Sequence, residues 1–496
     1  MMEHNMAREW SKYQNAIFTE IAKGQNARNL LIEAVAGSGK STTIVEAVKR
    51  TGSKGAVVLA FNRDIAAELR EKGVNARTFH SLCMKAALAS REASQPTLNK
   101  MHVLCKDMMA KETFRQYGSF CIRLVSLAKN YGLDSGAPGT PDNDPECWEY
   151  IRNHHGLAVE DGDHTVAIEH SRRLLRLSNE SDMVDFDDML YWTVKDRLPT
   201  QNFSWLFVDE CQDLNPIQHA LIGLMKSRLP AMRIVAVGDS AQAIYGFRGA
   251  AVDSMAQLKE RFDCLELPLS VSYRCPQAVV EYAQQWVPHL EYAPEAKEGV
   301  VKTHAKLPEV DVFEPGDMVV CRRNAPIIKL AYKFLRERIK AVVLGRDIGK
   351  GLVALIDRMR ATNLDMLEQK LIAFGQKEAA KHRDQGNENA AVSTEDKVEC
   401  ILVLIEQLGP DGSLHELCAV ITEMFADNAD GNCITLCTIH KAKGLEANDV
   451  WWLDYDFRFM GEQSEWEEVQ EDNMRYVAAT RAKRTLQLIA TPRKAA

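Results

Sequence analysis

The sequence has few features of a membrane or secreted protein. No apolar run reaches the ~18 residues of a membrane-spanning helix. The first residues, MMEHNMAREWSKYQ, lack the apolar core of a signal peptide. The 12 cysteines are scattered and none forms a C-x-x-C pair, so free thiols in a reducing compartment are a simpler reading than a metal site. We therefore expect a cytoplasmic protein without membrane contact.

The sequence also lacks an excess of positive charge. It has 61 Lys and Arg residues against 69 Asp and Glu residues, a formal net charge of −8. This balance argues against a protein that coats nucleic acid through a global basic surface, but it leaves room for an enzyme with a local basic groove. The 46% hydrophobic and 26% charged content is that of an ordinary globular protein. The length predicts about two to four domains.

A small-residue turn follows the first predicted buried strand and precedes a predicted helix. Gly37 and Gly39 leave backbone N–H groups free to point at an anion, and the helix adds its positive N-terminal end. Lys40 would reach the β- and γ-phosphates of a nucleotide, and the Ser41 hydroxyl would hold Mg²⁺. Ala34 stands where the strict phosphate-loop pattern has glycine, so a glycine-rich turn with a solvated lysine is the alternative.

Strand-like and helix-like runs alternate in two regions of the chain. This alternation predicts two α/β lobes, each with a parallel sheet covered by helices on both faces. A mainly helical stretch interrupts each lobe. The predicted boundaries are residues 1–84 and 183–275 for the first lobe, 85–182 for its helical insertion, 276–345 and 431–496 for the second lobe, and 346–430 for a shorter second insertion.

The predicted strand WLFVD ends in two acids, Asp209 and Glu210. An acid at the carboxyl end of a strand in a parallel sheet lies beside the phosphate loop of a neighbouring strand. Asp209 could therefore share Mg²⁺ with Ser41, and Glu210 could orient or deprotonate an attacking water. Taken alone, the two acids could instead cap the next helix.

Further motifs follow in a fixed order. They are DECQD (209–213), VGDSAQAIYGFRGA (237–250), LSVSYRCP (269–276), TIHKAKGLE (438–446) and YVAATRAK (476–483). Together with YQNAI, LAFN, TFHSLC and VDFDDML, they resemble the motor motifs of superfamily 1 helicases of the UvrD/Rep/PcrA type. The matches span residues 13–484. The resemblance implies two RecA-like lobes and a cytoplasmic site of action in a bacterial or phage-infected cell.

The resemblance implies an ATP site built from several motifs. Gln14 would bond the adenine edge, Tyr273 would stack on its face, and Glu446 would contact the ribose. The phosphate loop would comprise Ala36, Gly37, Ser38, Gly39, Lys40, Ser41 and Thr42. The expected cofactors are thus ATP and Mg²⁺.

Three more residues are implied to act in catalysis beside Lys40 and Glu210. Gln242 would sense the γ-phosphate, and Arg274 and Arg481 would act as arginine fingers, because phosphoryl transfer needs positive charge around that group. Arg481 belongs to the second lobe, so ATP would close the cleft between the lobes and hydrolysis would reopen it. Surface ion pairing is the alternative for the two arginines.

The resemblance also implies that single-stranded DNA crosses both lobes. The implied contacts are Phe61, Thr78, His80, Tyr245, Phe247, Arg248 and His440. Aromatic side chains stack on any base, which suits a motor that steps over all sequences. In QAIYGFRG, Tyr245 and Phe247 are two residues apart and would share one side, although core packing is their alternative role. Stacking accepts both sugars, so RNA stays open as a substrate.

The chain departs from its relatives in three places. Thr42 stands where an arginine is frequent, QEDN at residues 470–473 replaces a run that often carries arginines, and the second insertion is much shorter. The short insertion resembles those of phage-encoded members and of helicase subunits of antiphage systems, and it leaves duplex contact open.

The implied function is a 3′-to-5′ translocase and helicase that acts on single-stranded and tailed duplex DNA. A protein partner could bind through the second insertion. Two alternatives use the same motor: a translocase that strips proteins from DNA, and a DNA-sensing ATPase subunit that gates a partner nuclease.

Overall fold

A computed structural model describes residues 9–159, 162–244, 253–384, 388–426, 432–458 and 465–491. The chain divides into two compact units, one ending at Ser270 and one beginning at Val271. None of the helices in the described ranges is long and apolar enough to cross a membrane.

The first unit is built on a parallel sheet with the strand order β3-β2-β4-β5-β1-β6. The strands are β1 Leu30–Ala34, β2 Ala56–Ala60, β3 Ala76–Thr78, β4 Trp205–Val208, β5 Arg233–Gly238 and β6 Leu265–Leu269. Every residue of β2 and β4 is buried, and both strands are continuous apolar runs. Such runs are typical of parallel strands covered on both faces. The predicted α/β class is therefore confirmed.

The helices of the first unit fall into two groups. Those that follow or precede the strands are α1 Lys12–Ile21, α2 Lys40–Arg50, α3 Arg63–Glu71, α4 Phe79–Ala89, α10 Pro216–Arg228 and α11 Ser254–Phe262. Between β3 and β4 the chain is helical, with α5 Lys100–Met108, α6 Lys111–Asn130, α7 Pro145–His154, α8 His164–Glu180 and α9 Phe186–Lys195. Helices α5 to α8 lie where the first helical insertion is predicted, whereas α9 lies beyond its predicted end at residue 182. The domain boundaries stay a prediction.

A fully buried charge cluster joins three of these helices. Asp188 on α9 accepts from Lys100 Nζ of α5 and from Lys129 Nζ of α6, each at 2.7 Å. Lys129 also pairs with Asp185 at 3.1 Å. The side chains of both lysines and of Asp188 are at most 1% exposed. Buried charges of this kind are tolerated because each meets an opposite charge or a carbonyl.

The second unit contains a parallel sheet in the order β12-β11-β13-β10-β14-β15-β9, and a separate pair β7-β8. The strands are β7 Val271–Ser272, β8 Glu291–Tyr292, β9 Val300–His304, β10 Met318–Cys321, β11 Ala341–Leu344, β12 Phe425–Ala426, β13 Ile434–Thr438, β14 Ala447–Leu453 and β15 Ala482–Ile489. The helices are α12 Gln277–Ala283, α13 Asn324–Arg336, α14 Arg346–Met359, α15 Leu364–Asp384, α16 Glu388–Leu408, α17 Leu414–Met424, α18 Ile439–Ala442 and α19 Glu465–Ala479.

Helices α14 to α17, in the region of the predicted second insertion, pack into the core of this sheet. Leu367 of α15 and Ile401 of α16 belong to the same buried cluster as Val319 of β10. Asp396 of α16 also caps α13, since its carboxylate accepts the backbone N–H groups of Asn324 at 2.8 Å and Ala325 at 2.9 Å. These contacts make the helical stretch continuous with the second unit.

Candidate functional site

The loop between β1 and α2 has the backbone that the phosphate-loop prediction requires. Gly37 and Gly39 have φ values of 73° and 77°, in the left-handed region where a side chain would be strained. Gly39 is the N-cap of α2, so the first N–H groups of that helix face the loop. The Ser38 side chain is buried, and its Oγ has no hydrogen-bond partner among the described residues. A buried hydroxyl without a partner in this loop is suited to donate a hydrogen bond to a phosphate oxygen.

Strand order explains why Lys40 meets the predicted acids. In the first sheet β5 lies between β4 and β1, so the carboxyl ends of the three strands are adjacent. The result is an ion pair of 3.2 Å between Lys40 Nζ and Glu210 Oε2, with side chains only 14% and 21% exposed. Burial alone would lower the pKa of Lys40, but Glu210, Asp239 and Asp209 hold it above its usual value.

Two buried carboxyl groups face the same loop. Burial, followed by the charge of Glu210, raises the pKa of Asp209 to about 7. Burial also raises the pKa of Asp239 to about 7. The site thus holds more carboxyl groups than Lys40 can balance, an electrostatic imbalance that a divalent cation offsets. No cluster of three His, Cys, Asp or Glu side chains in the described ranges is arranged for a metal. A magnesium ion here would therefore depend on Asp209, Ser41 and phosphate oxygens.

A short turn at the end of β5 carries Gln242. Its Nε2 donates to Asp239 at 2.5 Å, and the side chain is buried. Gln212 connects this turn to the acid pair, since its Nε2 donates to Glu210 at 2.6 Å and its Oε1 accepts the Asp239 N–H at 3.1 Å. Gln212 belongs to the DECQD motif, but the sequence alone predicts no role for it. Its two-sided bonding is visible only in the folded chain.

Gln14 is positioned by its own helix and by α2. Its Oε1 accepts the N–H of Ser11 at 3.1 Å, which completes the capping box of α1. Its Nε2 donates to Thr43 at 3.0 Å, and Thr43 in turn donates to the carbonyl of Gly39. The structure therefore places Gln14 beside the phosphate loop, while its contact with adenine stays a prediction. Thr42 lies in the first turn of α2 and is half-buried.

The predicted residues of the second unit form an ion-pair cluster of their own. Arg274 Nε lies 2.6 Å from Glu446 Oε2, and Lys483 Nζ lies 2.5 Å from Glu446 Oε1. Burial alone would raise the pKa of Glu446, but Lys483 and Arg274 hold it below its usual value. Tyr273, next to Arg274, is 43% exposed. Lys483 was not among the predicted site residues.

Arg481 lies in the interior of the second unit and is 1% exposed. Its guanidinium donates to the carbonyls of Val477 at 2.9 Å and Leu445 at 3.2 Å, and to Thr480 Oγ1 at 3.2 Å. The side chain is thus held by the backbone of its own unit. Its role as an arginine finger stays a prediction.

Part of the predicted DNA surface lies at the carboxyl ends of β2 and β3. Phe61 follows β2 and is 37% exposed, and Thr78 ends β3 and caps α4 through its hydroxyl. The His80 ring lies 6.3 Å from the ring of Phe186, which is itself 38% exposed. Burial, followed by the charge of Arg63, lowers the pKa of His80. Phe186 was not predicted as a DNA contact, although it lies within the VDFDDML motif.

Of the remaining predicted DNA contacts, only His440 lies within the described residues. His440 lies on the short helix α18 and is half-buried. Tyr245, Phe247 and Arg248 lie outside the described residues.

Comparisons with known proteins agree with this geometry. Residues 16–248 match the family described as an AAA domain, and residues 357–493 match the UvrD-like helicase C-terminal domain. The ATP-dependent DNA helicase PcrA of Staphylococcus aureus is 25% identical over 294 residues, which cover 52% of this chain and 37% of that protein. PcrA of Staphylococcus epidermidis is 27% identical over 299 residues, which cover 52% of this chain and 38% of that protein.

The matched region is thus well under half of each relative's length. The two family matches fall on different units, in the order expected for two RecA-like lobes, and the first contains the phosphate loop and its acid pair. On this sequence, fold and site, the chain belongs to the superfamily 1 helicases of the UvrD/Rep/PcrA type.

Proposed function

We propose that the chain is an ATP-dependent translocase on single-stranded DNA that separates tailed duplexes from the 3′ end. The observation that carries this proposal is the buried ion pair of Lys40 and Glu210 beside a glycine loop with an unpartnered Ser38 hydroxyl. A loop that offers N–H groups, one ammonium and one hydroxyl suits a polyphosphate. A carboxylate at the same point suits activation of a water.

The candidate site residues of the first unit have separate tasks in the proposed hydrolysis. Lys40 leaves Glu210 to bind the phosphates, and Gln212 keeps the freed carboxylate in place through its 2.6 Å bond. Glu210 then takes the proton of the attacking water, and the Gln242 side chain senses the γ-phosphate. Mg²⁺, when bound by Ser41 and Asp209, would neutralise charge on the phosphate oxygens.

The second unit contributes positive charge. Arg274 is restrained by Glu446, and its release toward phosphate would follow when Glu446 turns to the ribose. The Arg481 guanidinium donates to the carbonyls of Val477 and Leu445, and these bonds hold it in its own unit. Both arginines are proposed to stabilise the charge of the transferred group.

Movement on DNA is proposed to use exposed rings rather than base-specific hydrogen bonds. Phe61 and Phe186 are both more than a third exposed, and the half-buried His80 lies beside Phe186. Stacking on such rings contributes about 1–3 kcal/mol per base and does not depend on sequence. The 3′-to-5′ direction rests on the family resemblance alone.

Removal of proteins from DNA is a second candidate output. Helices α14 to α17 share the buried core of the second unit and are capped onto it by Asp396. A stretch held in this way offers less freedom to grip a duplex than an independent domain would. Translocation with weak unwinding is the behaviour that this arrangement favours.

Unwinding assays distinguish the two outputs. Wild type is tested on duplexes with a 3′ or a 5′ single-stranded tail, and on a single strand with a terminal protein block. Glu210→Gln is the inactive variant, and Glu46→Gln is the matched control because Glu46 pairs with Arg50 at the surface. Unwinding from the 3′ tail alone supports the helicase, whereas block removal without unwinding supports the stripping output. No activity on any of these substrates would refute both.

A further inference from the structure

An acidic side chain lies one residue before the end of the strand that leads into the phosphate loop. Glu33 lies in β1, where the other four residues are buried and apolar. In the sheet it is in register with Gly238, the last residue of β5. Central strands of parallel sheets are usually apolar throughout. A carboxylate at this point therefore needs polar partners.

Those partners belong to a single residue of the Gln242 turn. Glu33 Oε1 accepts both the backbone N–H and the hydroxyl of Ser240, each at 2.9 Å. Ser240 is the first residue of the turn Ser240–Gln242, and Asp239 before it caps the N–H of Ala241 at 3.2 Å. Glu33 thus satisfies the one early N–H of the turn that Asp239 does not reach.

A turn of three residues has few bonds of its own to fix its position. On one side Gln212 fixes it through the N–H of Asp239, and on the other Glu33 fixes it through Ser240. Gln212 bonds to Glu210, whereas Glu33 stands on the strand that continues into the phosphate loop. The negative charge of Glu33 also adds to the burial that raises the pKa of Asp239.

We propose that Glu33 is a positioning residue that links the phosphate-loop strand to the Ser240–Gln242 turn and so holds Gln242 in place for hydrolysis. This inference rests on the proposed function. Glu33 acts through Ser240 and does not itself contact the nucleotide. Its substitution should therefore reduce turnover more than ATP binding.

The test compares Glu33→Met with Glu33→Gln. Methionine fills a similar volume without an acceptor, whereas the glutamine oxygen still accepts both bonds of Ser240. In DNA-stimulated ATP hydrolysis we expect Glu33→Met to lower kcat about tenfold and to change KM for ATP less than about twofold, because both charge-assisted hydrogen bonds from Ser240 are lost. Glu33→Gln should restore most of kcat. Ser240→Ala, which keeps the N–H bond, should give an intermediate loss, and Glu46→Met controls for removal of a glutamate.

Hydrogen exchange of the apo protein measures the contact between Glu33 and the Ser240–Gln242 turn, and this measurement does not depend on ATP hydrolysis. The peptide that contains residues 239–242 should exchange faster in Glu33→Met than in wild type or Glu33→Gln. Equal exchange and equal kcat in all three proteins would refute the proposal, as would an equal loss in both variants. If wild type hydrolysed no ATP, the proposed function would fail, while faster exchange in Glu33→Met would still support the link.

Discussion

Lys40 and Glu210, 170 residues apart in sequence, form a buried ion pair at the carboxyl edge of the first sheet. The pair satisfies the ammonium and holds the carboxylate at the end of β4. In the proposed function, phosphate oxygens replace Glu210 around Lys40.

Lys40→Met should therefore weaken ATP binding more than about tenfold, since charge-assisted hydrogen bonds are worth about 1.5–3 kcal/mol. A fluorescent ATP analogue gives the dissociation constant. Lys49→Met is the matched control, because Lys49 is exposed at the far end of the same helix. Equal affinity of Lys40→Met and wild type would show that the loop does not bind phosphate through this lysine.

Asp188→Asn should destabilise the first unit by about 3–5 kcal/mol. The substitution leaves two buried ammonium groups with Asp185 as their remaining carboxylate partner, and an uncompensated buried charge is costly. Urea unfolding followed by tryptophan fluorescence measures the loss. Asp182→Asn, an exposed neighbour, should change stability by less than about 0.5 kcal/mol. A similar small effect for both variants would contradict the structural role of the cluster.

His219 should make stability depend on pH. Its Nε2 lies 2.8 Å from Ser254 Oγ, which donates to the carbonyl of Cys211, so Nε2 is the donor in this contact. Burial, followed by the charge of Arg261, lowers the pKa of His219 to about 4. Between about pH 6.5 and 4 the unfolded chain binds a proton that the folded chain refuses, so stability falls as pH falls, by about 1.4 kcal/mol per pH unit.

His219→Gln keeps a donor for Ser254 but does not titrate. From pH 7.5 to 5.0, wild type should lose about 2 kcal/mol more unfolding free energy than this variant. Parallel pH profiles in urea unfolding would argue that His219 titrates normally in the folded protein.

Phe186→Ala should weaken binding of a labelled oligothymidine by about 1–3 kcal/mol, similar to Phe61→Ala, because each ring offers a stacking face. Fluorescence anisotropy gives the affinities. Tyr150→Ala is the control, since Tyr150 is 59% exposed on α7 and was not assigned to the DNA surface. The surface would be assigned wrongly if Tyr150→Ala weakened binding as much as Phe186→Ala.

Sequence reasoning located the phosphate loop and several of the strands, among them β2 and β4, because their signals are local. Continuous apolar runs at residues 56–60 and 205–208 need no partner to be recognised, and Gly37 and Gly39 need only the turn itself. The strand β9 was overlooked, since at the sheet edge its residues are all at least partly exposed and lack an apolar pattern.

Long-range polar contacts outside the recognised motifs were beyond sequence reasoning. Lys100 and Lys129 look like solvated helix residues, and only the packing of α5 and α6 on α9 buries them against Asp188. Glu33 meets Ser240 across 207 residues, which no local pattern encodes. The backbone bonds of Arg481 likewise depend on how the chain turns between α19 and β15.

The most direct test of DNA-dependent ATP hydrolysis through Glu210 compares the hydrolysis rates of wild type and Glu210→Gln, each with and without single-stranded DNA. We expect that DNA stimulates wild type and that Glu210→Gln loses at least about a hundredfold in kcat while it still binds ATP. Hydrolysis that ignores DNA, or that survives in Glu210→Gln, would contradict this expectation.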